Sequence, residues 1–325
     1  MGERVLIVGA GAVGQVYGRH LQRGGASVGY LVRPRYAARV REGFAMANLN
    51  RGPAVERFEG FEVLEDLDAV RASAWDQLWL CISSPALQGD WLGPTLAAVG
   101  SARVVSFTPG LRDGELLGSY LPAERRLKGL ITFSAWEAPL PGAPSGPAHL
   151  AYWSPPLSPN LFEGPGAAEI AAQLRAGGLS ARQGPAEAMT ARGSSILLPA
   201  VAAMECAGWT FAGLRSAPWA GLAGRAAAEA LAISSAHLGV GSGPMGILAG
   251  AGLLRLLSHA APLVAPFDIE RFFEVHFRKV GQQTSLALKS WIAEGQGRGL
   301  PVQALQELDE ALTRSRHATD TPVSK

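Results

Sequence analysis

Residues 4–21, RVLIVGAGAVGQVYGRHL, decide how the rest of the chain is read. The run Val5–Val8 has the composition of a buried strand, the turn GAGAVG follows at once, and an amphipathic stretch opens behind it. Gly9, Gly11 and Gly14 divide the work of such a turn: one reverses the chain, one lets backbone approach an anion, and one lets the helix pack near the strand. The N–H groups from Gly11 through Ala12 and Val13 to Gly14 then stand at a helix N-terminus, where the dipole favours a pyrophosphate. Strand, turn and helix in that order are the context of a dinucleotide-binding unit; a purely structural glycine turn is the alternative.

The second strand selects the dinucleotide. An NAD site places an acid at its end, about 20 residues beyond the glycines, to accept from the ribose hydroxyls. Here SVGYLVRPRYAARVR carries Arg33, Arg35, Arg39 and Arg41 and no acid before Glu42. Guanidinium groups suit a 2′-phosphate, so the expected cofactor is NADP(H) with Arg33 as its ligand, while Arg39 and Arg41 read as a solvated helix face. Ligands of such sheets lie beyond the carboxyl ends of the strands. That nominates Ser83 and Ser84 in CISSPA, and Thr108 and Pro109 in FTPGLR, as neighbours of the nicotinamide; ordinary turn chemistry is the competing explanation.

Strand-like runs alternate with helical ones from residue 4 to about 133, which predicts βαβ units on a parallel sheet. Eight prolines between Trp136 and Pro165 predict irregular strands and loops there. Beyond Pro185 the chain turns Ala- and Leu-rich with helical periodicity, Pro218, Pro244 and Pro301 falling where first helical turns tolerate them. The expected fold is therefore α/β: a Rossmann-type NADP-binding domain over 1–184 and an all-helical substrate or dimerisation domain over 185–325. The final RHATDTPVSK is polar and expected to fray.

A chain of 325 residues with 48% hydrophobic and 17% charged residues has the composition of a globular protein, and a net charge of +2 gives no reason to expect a nucleic-acid partner. Cys81 and Cys206 lie in apolar runs, without the clustering that a metal or a disulfide framework needs. No basic segment with an apolar signal core opens the chain, so a cytoplasmic location is expected. The apolar SSILLPAVAAMECAGWTFAG, interrupted by Pro199 and Glu205, reads as a buried helix and not as a membrane span. The Ala-rich helices make a homodimer a candidate assembly.

The glycine turn, the arginine closing the second strand, the domain sizes and the helical second half together resemble the ketopantoate reductase family. The resemblance implies NADPH-dependent reduction of a 2-keto acid, with a lysine on the first helix of the second domain protonating the carbonyl oxygen and two asparagines beyond it. With Pro199 in register, Thr190 stands at the lysine position and Ser194 and Leu198 at the asparagine positions. Pro109-Gly110 stands where the family has Asn-Gly. Arg192 lies two residues from Thr190, roughly 200° around a helix, and does not replace the lysine.

The stretch FFEVHFRKVGQQTSLAL resembles the HFxKVGxQT signature of a divergent branch of that family. Projected on one continuous helix, Ile269, Phe273, Val280, Ala287 and Trp291 form an apolar face, with Phe272, His276, Lys279 and Gln283 along one flank. Lys279 is the candidate proton donor and His276 the second choice; a snorkelling lysine and a core histidine are the plainer alternatives. Glu205, costly to bury unpaired, has Lys279 as a candidate partner, with a structural ion pair as the alternative, and Ser194 completes the candidate catalytic set. The expected activity is reduction of a small carbonyl substrate bound between the domains. The alternatives are a catalytically degenerate NADP(H)-binding sensor and an amino- or imino-acid dehydrogenase.

Overall fold

The computed structural model describes residues 2–52, 54–241 and 250–320. Contacts divide the chain into two compact units: Met1–Thr108 with Arg112–Glu187, and Pro109–Leu111 with Ala188–Lys325.

The first unit begins β1 (Arg4–Val8), α1 (Ala12–Arg23), β2 (Ser27–Leu31), α2 (Pro34–Arg41), β3 (Phe44–Asn48), β4 (Val55–Phe58) and β5 (Glu62–Leu64). It continues α3 (Leu67–Arg71), β6 (Gln77–Leu80), α4 (Ser84–Leu87), α5 (Leu92–Ala98), β7 (Arg103–Ser106), α6 (Asp113–Tyr120) and β8 (Arg126–Leu130). Then come β9 (Ser134–Glu137), β10 (Leu150–Trp153), β11 (Asn160–Glu163), α7 (Ala167–Ala176) and β12 (Ala181–Gln183).

The main sheet has the order β12-β11-β8-β7-β6-β1-β2-β5. From β5 to β8 every neighbour is parallel, and β11 then runs antiparallel to β8. From β1 the chain first lays strands on one side, β2 and β5, and then returns to lay β6, β7 and β8 on the other. That reversal makes the carboxyl ends of β1 and β6 a topological switch point, and Val8 pairs Leu80 in register there.

Parallel strands covered on both faces must be apolar throughout, and all of Gln77–Leu80 is buried. Gln77, the polar member, is satisfied by donating to Glu3 and accepting from Trp79 Nε1. Tyr17 on α1 packs its ring against Trp79 and Phe107 at 5.1 and 4.6 Å and donates its hydroxyl to Asn160 Oδ1 at 2.8 Å. One side chain thus ties α1 to the sheet by apolar area and by a satisfied buried polar group.

The proline-rich stretch holds no helix, as expected, but its strands are regular: the end of β9, then β10 and β11. The prolines fall between β9 and β10, between β10 and β11, and just after β11, so each strand of four residues fits a proline-free gap. β9 and β10 join β3 and β4 in a second sheet, β4-β3-β10-β9, against the outer side of α1.

His20, fully buried on α1, sets Nδ1 against the Gly177 carbonyl and Nε2 against the Tyr152 hydroxyl. Burial, aided by Arg19, Arg23 and Arg51, pushes its pKa from 6.5 down to about 4 against the opposing pull of the Gly177 hydrogen bond.

In the second unit the described residues form helices only: α8 (Ala186–Cys206, its first residues belonging to the first unit), α9 (Phe211–Arg215), α10 (Trp219–Leu238), α11 (Ala251–Val264), α12 (Ile269–Lys279), α13 (Gly281–Arg298) and α14 (Gln303–Asp320). Pro244, expected in a first helical turn, lies outside the described residues, and α11 begins at Ala251. α8 runs through Pro199 and buries Leu198, Val201, Ala202, Ala203 and Met204 in the core. No helix among the described residues is long and apolar enough to cross a membrane.

Two expectations are corrected here. The stretch 269–291 is not one helix: it breaks at Val280, with φ −108° and ψ 24°. Of the tail expected to fray, residues 316–320 continue α14 and 321–325 lie outside the described residues; the Arg316 guanidinium grips Glu205 in a fork at 2.7 and 2.8 Å and reaches Ser285 Oγ at 2.7 Å. It also lies close over Gly281, where a Cβ would come within 3.2 Å of Nη2. Glycine at the break leaves room for the arginine that holds the end of α8 to both neighbouring helices.

The His20 environment predicts acid sensitivity. Its folded pKa lies below the unfolded value, so the stabilisation is complete above pH 6.5 and is lost as pH falls toward 4. Thermal melts across that range should show Tm falling for the native chain and falling less steeply for His20→Gln.

Candidate active site

The glycine turn lies at the switch point and each glycine has a measurable reason. Gly9 has φ +104°, and a Cβ on it would stand 2.3 Å from the Cys81 carbonyl oxygen, so β1 and β6 approach too closely at their ends for any side chain. A Cβ on Gly14 would stand 2.0 Å from the Gly9 carbonyl, which holds α1 close behind the turn. Tyr30 on β2 reinforces this by donating to the Gly14 carbonyl at 2.9 Å. Gly11 differs, for a Cβ there would meet nothing within 4 Å.

Gly11 is the N-cap of α1, exposed and in extended conformation, with no side-chain cap and no acid in the first turn. The first-turn N–H groups, including those of Ala12 and Val13, therefore face an open cradle with the positive end of a twelve-residue helix behind it. These residues fit a pyrophosphate. Cys81, beneath the turn, is a free thiol whose burial raises its pKa well above the usual value, which keeps it protonated and inert.

Arg33 is the N-cap of α2, directly beyond β2, exposed and without an ion pair among the described residues. Arg41, by contrast, pairs with Glu65, and Arg35 lies over the Tyr36 ring at 4.7 Å. Glu65 follows β5, whose Leu64 pairs Leu31 of β2, so one acid does stand beside this edge, and Arg41 engages it.

Of the four residues nominated beside the nicotinamide, two hydroxyls are committed elsewhere. Ser84 is buried and donates to Asp113 Oδ2 at 2.6 Å. Thr108, also buried, shares a hydrogen bond with Ser106 Oγ at 2.9 Å, and its carbonyl accepts from Lys128 Nζ at 2.5 Å. Ser83 is half-buried at the N-cap of α4, and its hydroxyl makes no cap bond. Pro109 is half-buried and belongs with the second unit.

The second-unit candidates do not assemble as expected. Glu205 pairs with Arg316, not with Lys279, because α14 passes beside the end of α8. Ser194 donates back to the Ala191 carbonyl of its own helix at 3.1 Å, Leu198 is core, and Thr190 Oγ1 is buried without a hydrogen-bond partner among the described residues. Lys279 is exposed at the last turn of α12. His276, three residues before it, stacks on Phe272 at 5.4 Å and meets Phe277 edge-on at 4.9 Å. Desolvation first and the Lys279 charge second push its pKa down to about 4, so the ring is neutral near pH 7. Gln283, across the break at Val280, belongs to a separate helix.

Sequence reasoning missed Asp113 and Arg316. Asp113 sits in GLRDGE, where an acid in a first helical turn reads as dipole chemistry. Arg316 fell in a stretch of polar residues with no periodic signal.

Residues 5–140 match the family model described as "Ketopantoate reductase PanE/ApbA". No curated protein sequence matches the chain. A PanE/ApbA family ketopantoate reductase from Ralstonia eutropha JMP134 has a similar structure, at a TM-score of 0.75 and 18% identity over 98% of this chain and 100% of that one. A D-mandelate dehydrogenase solved with NADH and anilino(oxo)acetate has a TM-score of 0.73 and 12% identity over 98% and 99%. A 2-dehydropantoate 2-reductase from Geobacter metallireducens GS-15 has a TM-score of 0.71 and 17% identity over 96% and 99%.

The open cradle predicts that Gly11→Ala keeps its melting temperature yet binds a nicotinamide dinucleotide on the order of tenfold more weakly by calorimetry. Gly14→Ala should lower Tm as well, since its Cβ has no room. The proteins this chain is similar to are reductases and dehydrogenases acting on C=O and CH–OH groups; residues 5–140 carry the ketopantoate reductase PanE/ApbA pattern, and the whole chain has the fold of those enzymes.

Proposed function

We propose that the chain is an NADPH-dependent reductase of a small carbonyl compound, a 2-keto acid or a close relative. One observation carries the reading: a glycine cradle at the switch point of a parallel sheet, with Arg33, exposed and without an ion pair among the described residues, where an NAD site has an acid. The D-mandelate dehydrogenase of similar fold, solved with NADH and a 2-oxo acid derivative, supports the substrate class.

When bound, NADPH supplies hydride to the carbonyl carbon. The first-turn N–H groups of α1 hold its pyrophosphate, and Arg33 pairs with its 2′-phosphate. Lys279 donates the proton that the carbonyl oxygen takes up, so that hydride and proton together give the alcohol. His276, neutral and packed on Phe272, lies close enough to feel the lysine charge and positions that end of α12.

A second reading, a nucleotide-binding sensor without turnover, draws on α8. At the positions of the family's lysine and asparagines stand a buried hydroxyl, a serine bonded to its own helix and a core leucine, none of them aligned for proton transfer. Tight NADPH binding with no oxidation across a panel of 2-keto acids would favour it over the first.

Calorimetry should find NADPH bound more tightly than NADH. Arg33→Ala should weaken NADPH on the order of tenfold to a hundredfold while leaving NADH nearly unchanged. Equal loss for both cofactors would remove the 2′-phosphate role. With a turned-over substrate in hand, Lys279→Ala should lower kcat by about a hundredfold or more, and an unchanged kcat would exclude it as the proton donor.

A further inference from the structure

The first unit contains a groove of about 470 Å³ that the reading above does not use. Arg126 and Lys128 of β8 line it, with Glu163 of β11, Glu187 of the first turn of α8, Glu124 of the preceding short helix, and Ser106 of β7. Two cations and three acids thus share one groove of a size that suits a small metabolite. Among the described residues, none of these five charges forms an ion pair with another.

The omission is specific. Lys128 and Glu163 are direct cross-strand partners on antiparallel β8 and β11, a position where opposite charges ordinarily pair. Instead each is drawn away by backbone: Lys128 donates to the Thr108 carbonyl at 2.5 Å, and Glu163 accepts from the Glu187 N–H at 2.8 Å. Arg126 and Glu187 repeat the pattern around Gly114. Arg126 Nη1 donates to the Gly114 carbonyl at 3.3 Å, while the Glu187 carboxylate lies 3.5 Å from where a Cβ on Gly114 would stand. The two side chains flank one residue without meeting. Arg126 Nε, moreover, is buried with no hydrogen-bond partner among the described residues.

Arg126, Lys128 and Glu187 are half-buried, Glu124 and Glu163 exposed, and opposite charges that line one groove without pairing present a matched pair of binding ends. A lone anion there would meet three carboxylates, and a lone cation would meet Arg126 and Lys128; a molecule with both charges satisfies both walls. We infer that this groove binds a small zwitterion, an amino acid or amino-alkyl acid, whose carboxylate is held by Arg126 and Lys128 and whose ammonium is held by Glu187. The site is separate from the glycine cradle, so its failure would leave the NADPH reading untouched.

Calorimetry and NMR titration with glycine, γ-aminobutyrate and ε-aminocaproate, which differ in charge separation, should find at least one that binds. Propionate and ethylammonium, each carrying one charge, should bind at least tenfold more weakly than that zwitterion. Lys128→Met and Glu187→Gln should each weaken it about tenfold, whereas Lys128→Arg should largely restore binding, and NADPH affinity should stay unchanged in Glu187→Gln. Binding of none of the three zwitterions, equal binding of propionate, or affinity indifferent to both substitutions in folded protein would overturn the inference.

Discussion

Two strand ends cannot approach as closely as β1 and β6 do unless one of them lacks a side chain. The Cys81 carbonyl occupies the space in which any Cβ on Gly9 would have to stand, and the Gly9 carbonyl does the same to Gly14. Those contacts bring strand, turn and helix into one tight unit, and they aim the N-terminus of α1 across the point where strand order reverses. Everything proposed for the cofactor inherits its geometry from that steric constraint. The aromatic packing of Tyr17 and its bond to Asn160 hold the helix in place from the other side.

The helical unit depends on a different kind of contact. Glu205 near the end of α8 and Arg316 near the end of the chain form a forked ion pair, which also reaches Ser285 and lies over Gly281. A carboxylate in so apolar a helix would be costly alone, and the arginine offsets that cost while fixing three helices at once. The HFxKVGxQT stretch is two helices with a break at Val280, and the glycine after it lies under the same guanidinium. The break leaves His276 and Lys279 on one short helix and assigns Gln283 to the next.

Several features were legible in the chain before folding. Apolar runs buried on both faces, glycine spacing and the switch to Ala- and Leu-rich periodicity come from local chemistry, and they yielded the Rossmann-type unit and the helical unit alike. The prolines excluded helix as expected, and their positions set the regularity of the strands, since β9, β10 and β11 fit the gaps between them. For the candidate site, the steric constraints at Gly9 and Gly14, the open N-cap at Gly11 and the place of Arg33 at the end of β2 were legible because they depend on backbone and on one strand end. The hydrogen bonds of Ser84 to Asp113 and of Thr108 to Ser106 were not legible, because no local pattern announces such side-chain partners.

By itself, then, the sequence determined what depends on neighbours along the chain: which segments extend, which coil, where a side chain is forbidden, and that no acid follows the second strand. Tertiary structure alone decided which charges meet. It gave Glu205 to Arg316, 111 residues away, and not to Lys279, and it set Lys128 opposite Glu163 without letting them pair. The reason is physical: steric rules for backbone act over a few residues, whereas a charge takes whichever partner the packing of remote elements brings within hydrogen-bond reach.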